Sequence, residues 1–250
     1  MQFKINSLVF FLCISASLCA FARESLETNL LAVANDNRLL QYYENGESKG
    51  PSFEILQAIL KEAQLDAKIE FMPWARAFAT ASNNPNTLIL SMIKTPERED
   101  DFHWLIKVSN LTRVFISLTS KPENYVDNIQ QAKNKLIAIV KGSAGYKELT
   151  SHGFSEQKNL YVVPEGKLEV TLLENGRVDL VYGDPVNIKN VLNKRGRPDV
   201  AISYKETAPE NQRSSYIAIS KKTDIKIVSR LQQAARKFEK TAEYAQLLIK

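Results

Sequence analysis

The chain reads as an α/β protein, and three observations carry that reading. Short apolar runs of strand length recur along it, for instance Thr87 to Met92 and Leu136 to Val140. Between them lie segments whose apolar residues repeat at helical spacing, so that strand, helix and strand alternate, which implies mainly parallel sheets joined by helical crossovers. No Gly- or Pro-rich linker divides the 250 residues, and two halves of roughly 100 residues each fit the usual domain size.

Taken in order, Asn29 to Ala34 is an apolar strand, and Tyr42-Tyr43-Glu44-Asn45-Gly46 is a turn in which Gly46 supplies permissive backbone angles. Phe53 to Ala63 places Phe53, Leu56, Ile59, Leu60 and Ala63 at helical spacing behind the start residues Pro51 and Ser52. Ile69 to Met72 is a strand, Trp74 to Ala81 a helix and Thr87 to Met92 a strand. The alternation resumes with strands at Val114 to Leu118 and Leu136 to Val140, a helix from Gly145 to Ser151, and a strand at Leu160 to Val163. A helix from Lys167 to Glu174, a strand at Leu180 to Tyr182 and a helix from Pro185 to Asn193 follow. Strands at Val200 to Tyr204 and Ser215 to Ile219 lead to closing helices over Thr223 to Leu248.

The amino terminus reads as a targeting segment. Lys4 precedes an apolar run from Leu8 to Phe21, and Ala20-Phe21-Ala22 has the small-x-small pattern of a cleavage site before Arg23. Residues 1–22 are therefore expected to be a cleaved signal peptide and the mature chain to be periplasmic. A lipoprotein reading of Cys19 is weaker, because Leu18 fills the place of a small residue. Cys13 and Cys19 are the only cysteines and both lie in that segment, which excludes a disulfide framework in the mature chain. His103 and His152 are the only histidines, an unpromising basis for a metal centre, and no cofactor is expected. The net charge of +5 is mild and spread along the chain, with no basic run interleaved with aromatics, so nucleic acid is excluded as a partner. No later stretch is apolar enough to span a bilayer.

The most informative stretch is Leu88 to Trp104, L-I-L-S-M-I-K-T-P-E-R-E-D-D-F-H-W. A strand-length apolar run breaks at Thr95-Pro96, so that Arg98 lands just past the strand's end, where open α/β sheets bind ligands. A guanidinium there can grip a carboxylate through two parallel hydrogen bonds, with Ser91 and Thr95 supplying hydroxyls. The plain alternative pairs Arg98 with Glu97, Glu99 or Asp100 on a solvated turn.

This T-P-E-R-E…F-x-W segment resembles the ligand-gripping turn of family 3 periplasmic solute-binding proteins, the amino-acid-type binding components of ABC transporters. The resemblance implies a two-lobed periplasmic-binding-protein-like fold over the mature chain. Residues 23–107 and 213–250 would form the first lobe and 113–207 the second, with hinge crossings at 108–112 and 208–212. It also implies that Arg98 holds a ligand's α-carboxylate. Phe71 to Ala77, F-M-P-W-A-R-A, matches the corner where an aromatic packs on the ligand, here Trp74, which could equally be a core tryptophan. Arg76 is a second anion-binding candidate or a surface residue, and Tyr42 completes the candidate set on the first lobe.

Lys141-Gly142-Ser143-Ala144 matches the second lobe's K-G-S/T turn, with Gly142 and Ser143 as ligand contacts at a helix start. Asn175 to Asp184 matches the N-G-R-x-D-x-x-x-x-D segment. There Asp179 is structural and Asp184 matches the carboxylate that takes the ligand's α-ammonium, with a helix cap before Pro185 as the alternative. Arg38-Leu39-Leu40 stands where the family has Pro-Pro-aromatic, Gly50-Pro51 where Gly-Phe is usual, and Ile93 where Ser or Thr is common.

The expected function is binding of a small polar solute, an amino acid or related zwitterion, by lobe closure in a monomer, for an ABC transporter permease or a membrane sensor. Two competing functions are a cyclohexadienyl-dehydratase-like enzyme, with Glu165, Glu97 or His103 as its acid or base, and a signalling module that binds a protein. No catalytic triad, metal cluster or phosphate loop supports an enzyme, so none is expected.

Overall fold

A computed structural model describes residues 29–206 and 213–249. The expected signal peptide and the second expected crossing, 208–212, lie outside the described residues. In chain order the first part holds β1 (Leu30–Ala34), the hairpin strands β2 (Tyr42–Glu44) and β3 (Glu47–Lys49), α1 (Pro51–Ala63), β4 (Ala67–Phe71), α2 (Trp74–Asn83) and β5 (Thr87–Ile93). A 3-10 turn, Pro96–Asp101, leads to the long strand β6 (Phe102–Leu111). Then come β7 (Val114–Leu118), α3 (Ile129–Ala132), β8 (Ile137–Val140), α4 (Ala144–Ser151), β9 (Leu160–Val163) and α5 (Gly166–Glu174). The chain ends with β10 (Leu180–Gly183), α6 (Pro185–Lys194), β11 (Ile202–Tyr204), β12 (Arg213–Ser220), α7 (Ile225–Phe238) and α8 (Ala242–Leu247).

The strands form two five-stranded sheets, ordered β4-β1-β5-β12-β6 and β11-β7-β10-β8-β9. In each sheet four strands run one way and one is opposed, β12 in the first and β7 in the second. Read from the β4 and β9 edges the two orders are the same: second strand, first strand, third strand, the opposed strand, then the last. The opposed strands begin directly after the places where the chain passes from one sheet to the other. The sheets are thus mixed but mainly parallel, and they make a two-lobed α/β fold.

Both faces of each sheet are covered, which explains why the strands read as near-continuous apolar runs. In β5, Leu88 and Leu90 face the cluster that includes Ile55, Leu56 and Ile59 of α1 and Val228 and Leu231 of α7. Their neighbour Ile89 points the other way, into a cluster with Trp74 and Ala77 of α2. In the second sheet Val181 packs with Val170 and Leu173 of α5 and Ile188 of α6. Leu180 and Ile137 face the opposite side, with Leu149 of α4.

Two elements differ from the sequence expectation. The turn at Tyr42 to Gly46 belongs to the β2–β3 hairpin, with Asn45 at φ 53° and Gly46 at φ 86°, backbone angles that an Asn-Gly pair adopts at little cost. Phe102–Leu111 is a ten-residue strand that takes in most of the expected first crossing, 108–112. It pairs along its length with β12, and Oγ of Ser109 lies 2.5 Å from Oγ of Ser215 in that buried seam.

α1 starts where only glycine fits. Gly50 has φ 106°, and a Cβ there would lie 2.6 Å from the Leu40 carbonyl oxygen and 3.0 Å from Gln41 Cα. The close approach presses the Leu40–Gln41 loop onto the helix start, where the Ser52 amide donates to the Leu40 carbonyl. It fixes Leu40, which lines the cleft, and Gln41, which supports Ser91 there.

Candidate ligand-binding cleft

The strand order places a topological switch point between β1 and β5 in one sheet and between β8 and β10 in the other. Crevices at the carboxyl ends of such strands are where α/β sheets bind ligands. The two switch points face each other across a cavity of about 160 Å³. From the first sheet's side it is lined by Asn35, Asn37, Leu40, Trp74, Ser91, Ile93 and Arg98, and from the second sheet's side by Arg113, Ile139, Ser143, Ala144, Gly145, Glu169 and Tyr182, among others.

Arg98 sits in the 3-10 turn after β5 and is only 1% exposed. Its Nη1 donates to the Ile93 carbonyl at 3.3 Å and its Nη2 to the Gly142 carbonyl at 3.4 Å, while Nε is buried without a partner. The guanidinium carbon lies 5.5 Å from the Trp74 ring centre and 4.9 Å from that of Phe78. Burial, and then the nearby charge of Arg113, lower its pKa to about 10, so it stays charged at neutral pH. Among the described residues no carboxylate lies within ion-pair distance of it. A buried cation held by two long bonds to neutral carbonyls is costly, and this one borders the cavity.

Ser91 occupies a left-handed backbone position, φ 54°. Its hydroxyl donates to Oε1 of Gln41 at 2.5 Å and lies 2.8 Å from the Ser52 hydroxyl. Gln41 and Ser52 are both buried, so Ser91 is the cavity end of a buried polar network. Trp74 donates its indole N–H to the Gly142 carbonyl at 3.0 Å. Gly142 itself has φ 67°, and Ser143 caps α4 by accepting the Tyr146 amide at 3.0 Å.

The remaining expected residues stand elsewhere. Arg76 is exposed on α2, and Tyr42 carries the Arg38 guanidinium 4.8 Å above its ring, away from the cavity. Thr95 stands outside the cavity lining, and hydrogen bonding from its buried hydroxyl holds the Glu97 carboxylate below the usual range. Asp184 is a helix cap: Oδ1 accepts the Val186 and Asn187 amides at 2.8 and 3.1 Å, and Oδ2 accepts the Thr112 amide at 2.9 Å. Both of its oxygens therefore serve the backbone, and it does not line the cavity. Asp179 accepts the Leu136 amide at 2.9 Å, a structural role. Of the acids and bases weighed for an enzyme, Glu165 precedes α5 without a capping bond and pairs with Lys167 at 2.7 Å, Glu97 is exposed, and neither these two nor His103 borders the cavity.

The family model of bacterial extracellular solute-binding proteins, family 3, matches residues 30–250. The chain belongs to that family. It is 23% identical over 166 residues to the L-cystine-binding protein TcyA of Bacillus subtilis (strain 168), a match over 65% of this chain and 58% of that relative. The alignment thus spans less than two thirds of the relative's length. Among solved structures, a histidine kinase sensor domain with similarity to periplasmic binding proteins superposes with a TM-score of 0.75 at 13% identity, covering 87% of this chain and 93% of that one. The arginine-, lysine-, histidine-binding protein ArtJ from Geobacillus stearothermophilus gives 0.72 at 19% identity, over 88% and 93%. These two share the fold.

Within this family member the second lobe's polar wall was not visible in advance. Arg113 stands just before β7, donates to Glu148 at 2.8 Å, and lies across α4 at Gly145, where a Cβ would come within 3.3 Å of its Cδ and Nε. Glu169, on the buried side of α5, is 8% exposed. Burial pushes its carboxyl up to about 8, against the opposing effects of the Val140 backbone and the Arg113 charge. The Tyr182 ring stacks on Phe115 at 4.6 Å, and burial raises its phenol well above the usual range. The motif spacing offered no signal for Glu169, since an acid on a helix is ordinarily exposed.

Proposed function

We propose that this chain binds a small zwitterion, an amino acid or close relative, between two lobes that close on it. The single observation behind this is Arg98, a buried cation in the cavity wall with no carboxylate beside it. The ligand's carboxylate supplies the missing anion, and the free amides at the start of α4 face the same space. A cavity of about 160 Å³ is close to one that holds benzene, so the ligand has about six or seven non-hydrogen atoms, the size of alanine or serine. Leu40 in the wall, where the family resemblance led one to expect a stacking aromatic, suits a small ligand rather than a long side chain.

In this reading residues 1–22 are a signal peptide, the mature protein is a periplasmic monomer, and residues 23–107 with 213–250 form one lobe and 113–207 the other. The crossings at 108–112 and 208–212 act as the hinge. The closed form is handed to a membrane partner, an ABC transporter permease or a sensor. The ligand leaves chemically unchanged, in keeping with binding proteins among the relatives.

A thermal-shift screen of amino acids, small peptides and organic acids tests the reading, since a ligand that binds only the folded state raises the melting temperature. The best hit is then titrated by calorimetry into wild type and Arg98→Ala. Truncating the cation strands the ligand's charge and should weaken binding by about 2–5 kcal/mol. Equal affinity in a folded Arg98→Ala protein removes the carboxylate reading, and chemical change of the hit on prolonged incubation turns the assignment to an enzyme.

A further inference from the structure

We propose that Glu169 is the residue that receives the ligand's ammonium group, in the role that sequence matching would give to Asp184. The inference rests on the zwitterion reading above and adds the second pole of the site.

Three features support it. First, Asp184 is spent: its two oxygens accept three backbone amides, and it lies outside the cavity wall. A carboxylate that caps a helix and takes the Thr112 amide keeps only about one of its four lone-pair sites for any other donor. Second, Glu169 lines the cavity together with Arg98, on the opposite lobe. Its fourth-position place on α5, beside Val170 and Leu173, turns it inward. Third, Glu169 forms no salt bridge among the described residues, although it is almost wholly buried. The charged and titratable groups that share its cavity are Arg98, Arg113 and Tyr182. Arg113 is committed to Glu148, which also draws Arg213 to 3.7 Å. The two poles of the cavity are then a guanidinium that meets only neutral carbonyls and a carboxyl held by the Val140 backbone with no salt bridge, the complement of a zwitterion.

The carboxyl's pKa of about 8 gives this arrangement a measurable consequence. In the ligand-free protein at pH 7 Glu169 is mostly protonated. An arriving ammonium favours the carboxylate, so the Glu169 proton is released to solvent as the ion pair forms. A ligand with a carboxylate but no amine fills only the Arg98 pole and leaves the proton in place.

The test is titration calorimetry at pH 7 in phosphate and in Tris, whose different ionisation enthalpies report protons released. The probes are L-alanine, L-serine and 4-aminobutyrate, against propionate and L-lactate. With wild type, at least one amine-bearing probe should bind with release of nearly one proton, about 0.9 for an acid of pKa 8 at pH 7. Glu169→Gln should abolish the release and weaken that probe roughly tenfold or more, while leaving the amine-free probes unaffected. Tight binding without proton release overturns the proposal on the wild-type protein alone, whether or not the variant folds. Unchanged affinity in Glu169→Gln overturns it as well, and the zwitterion reading survives that result if Arg98→Ala still loses binding. If Arg98→Ala binds normally, or no amine-bearing probe binds, both fall.

Discussion

The indole N–H of Trp74 donates to the Gly142 carbonyl across 3.0 Å, joining the first turn of α2 in one lobe to the turn after β8 in the other. The same carbonyl accepts the long bond from Arg98. One glycine oxygen thus gathers the aromatic and the cation of the first lobe onto the second. A second tie, Lys194 Nζ to Glu44 Oε1 at 2.5 Å, crosses nearer the solvent, with the lysine side chain 54% exposed.

The two ties should differ in weight. Trp74→Phe removes one neutral hydrogen bond, a loss of about 0.5–1.5 kcal/mol to closure, so ligand affinity should fall roughly three- to tenfold. Small-angle scattering of the variant should show a more open average. Lys194→Met removes an exposed pair whose value is screened in salt, and at physiological ionic strength it should leave affinity within about twofold. A larger effect of Lys194→Met than of Trp74→Phe would overturn this ordering.

Asp184→Ala should act on the fold first. It uncaps α6, at about 0.5–2 kcal/mol, and leaves the Thr112 amide without its acceptor at the crossing. The melting temperature in the absence of ligand should drop by several degrees, which differential scanning calorimetry reads. Asp184→Asn keeps an acceptor oxygen and should recover part of the loss. An unchanged melting temperature with abolished ligand binding would return Asp184 to the binding site.

What the sequence shows of this site divides by physical cause. The position of Arg98 just past the end of β5 was legible from a buried strand, a Thr-Pro break and a cation in order, but that it borders a cavity rather than pairing on a solvated turn came only from the family resemblance. The Asn45-Gly46 pair was a hairpin signal. The β6 strand also carried one, since Phe102, Ile106 and Val108 are buried at even spacing, but its partner β12 lies some hundred residues on and pairing at that distance leaves no local trace. Glu169 and Arg113 were hidden for a different reason. Their burial follows from how the lobes meet, and nothing in a helix or strand repeat distinguishes a charge that faces a cavity from one that faces water.

Gly50→Ala should be severely destabilising and Gly196→Ala only mildly so, although both glycines have positive φ, 106° and 73°. At Gly196 nothing lies within 4 Å of an added Cβ, so the cost is the left-handed strain of about 1–2 kcal/mol. At Gly50 the Cβ would sit 2.6 Å from a backbone oxygen that α1 already uses. Relief requires moving Leu40 and Gln41, and with them the support of Ser91. Urea unfolding should show a loss at least twice as large for Gly50→Ala. Comparable losses would mean that the loop yields readily.

The last prediction concerns pH and needs no ligand. Glu169 has a folded-state pKa of about 8 against an ordinary value of 4.5. Between those values the folded protein binds more protons than the unfolded chain, so stability must fall as pH rises through this window. The penalty is absent below about pH 4.5 and complete above about pH 8. A shift of this size corresponds to a few kcal/mol, on the order of 3–5. Glu169→Gln keeps the shape and cannot ionise. It should therefore melt close to wild type at pH 5 and roughly 6–20 °C higher at pH 8, taking about 2–4 °C per kcal/mol for a chain of this length. Arg98 stays protonated throughout this range, so the difference between the wild-type and Glu169→Gln curves reports on Glu169. Calorimetric melting of both proteins across that range makes the measurement. Parallel curves for the two would show that Glu169 is ionised in the folded protein, with a cation beside it.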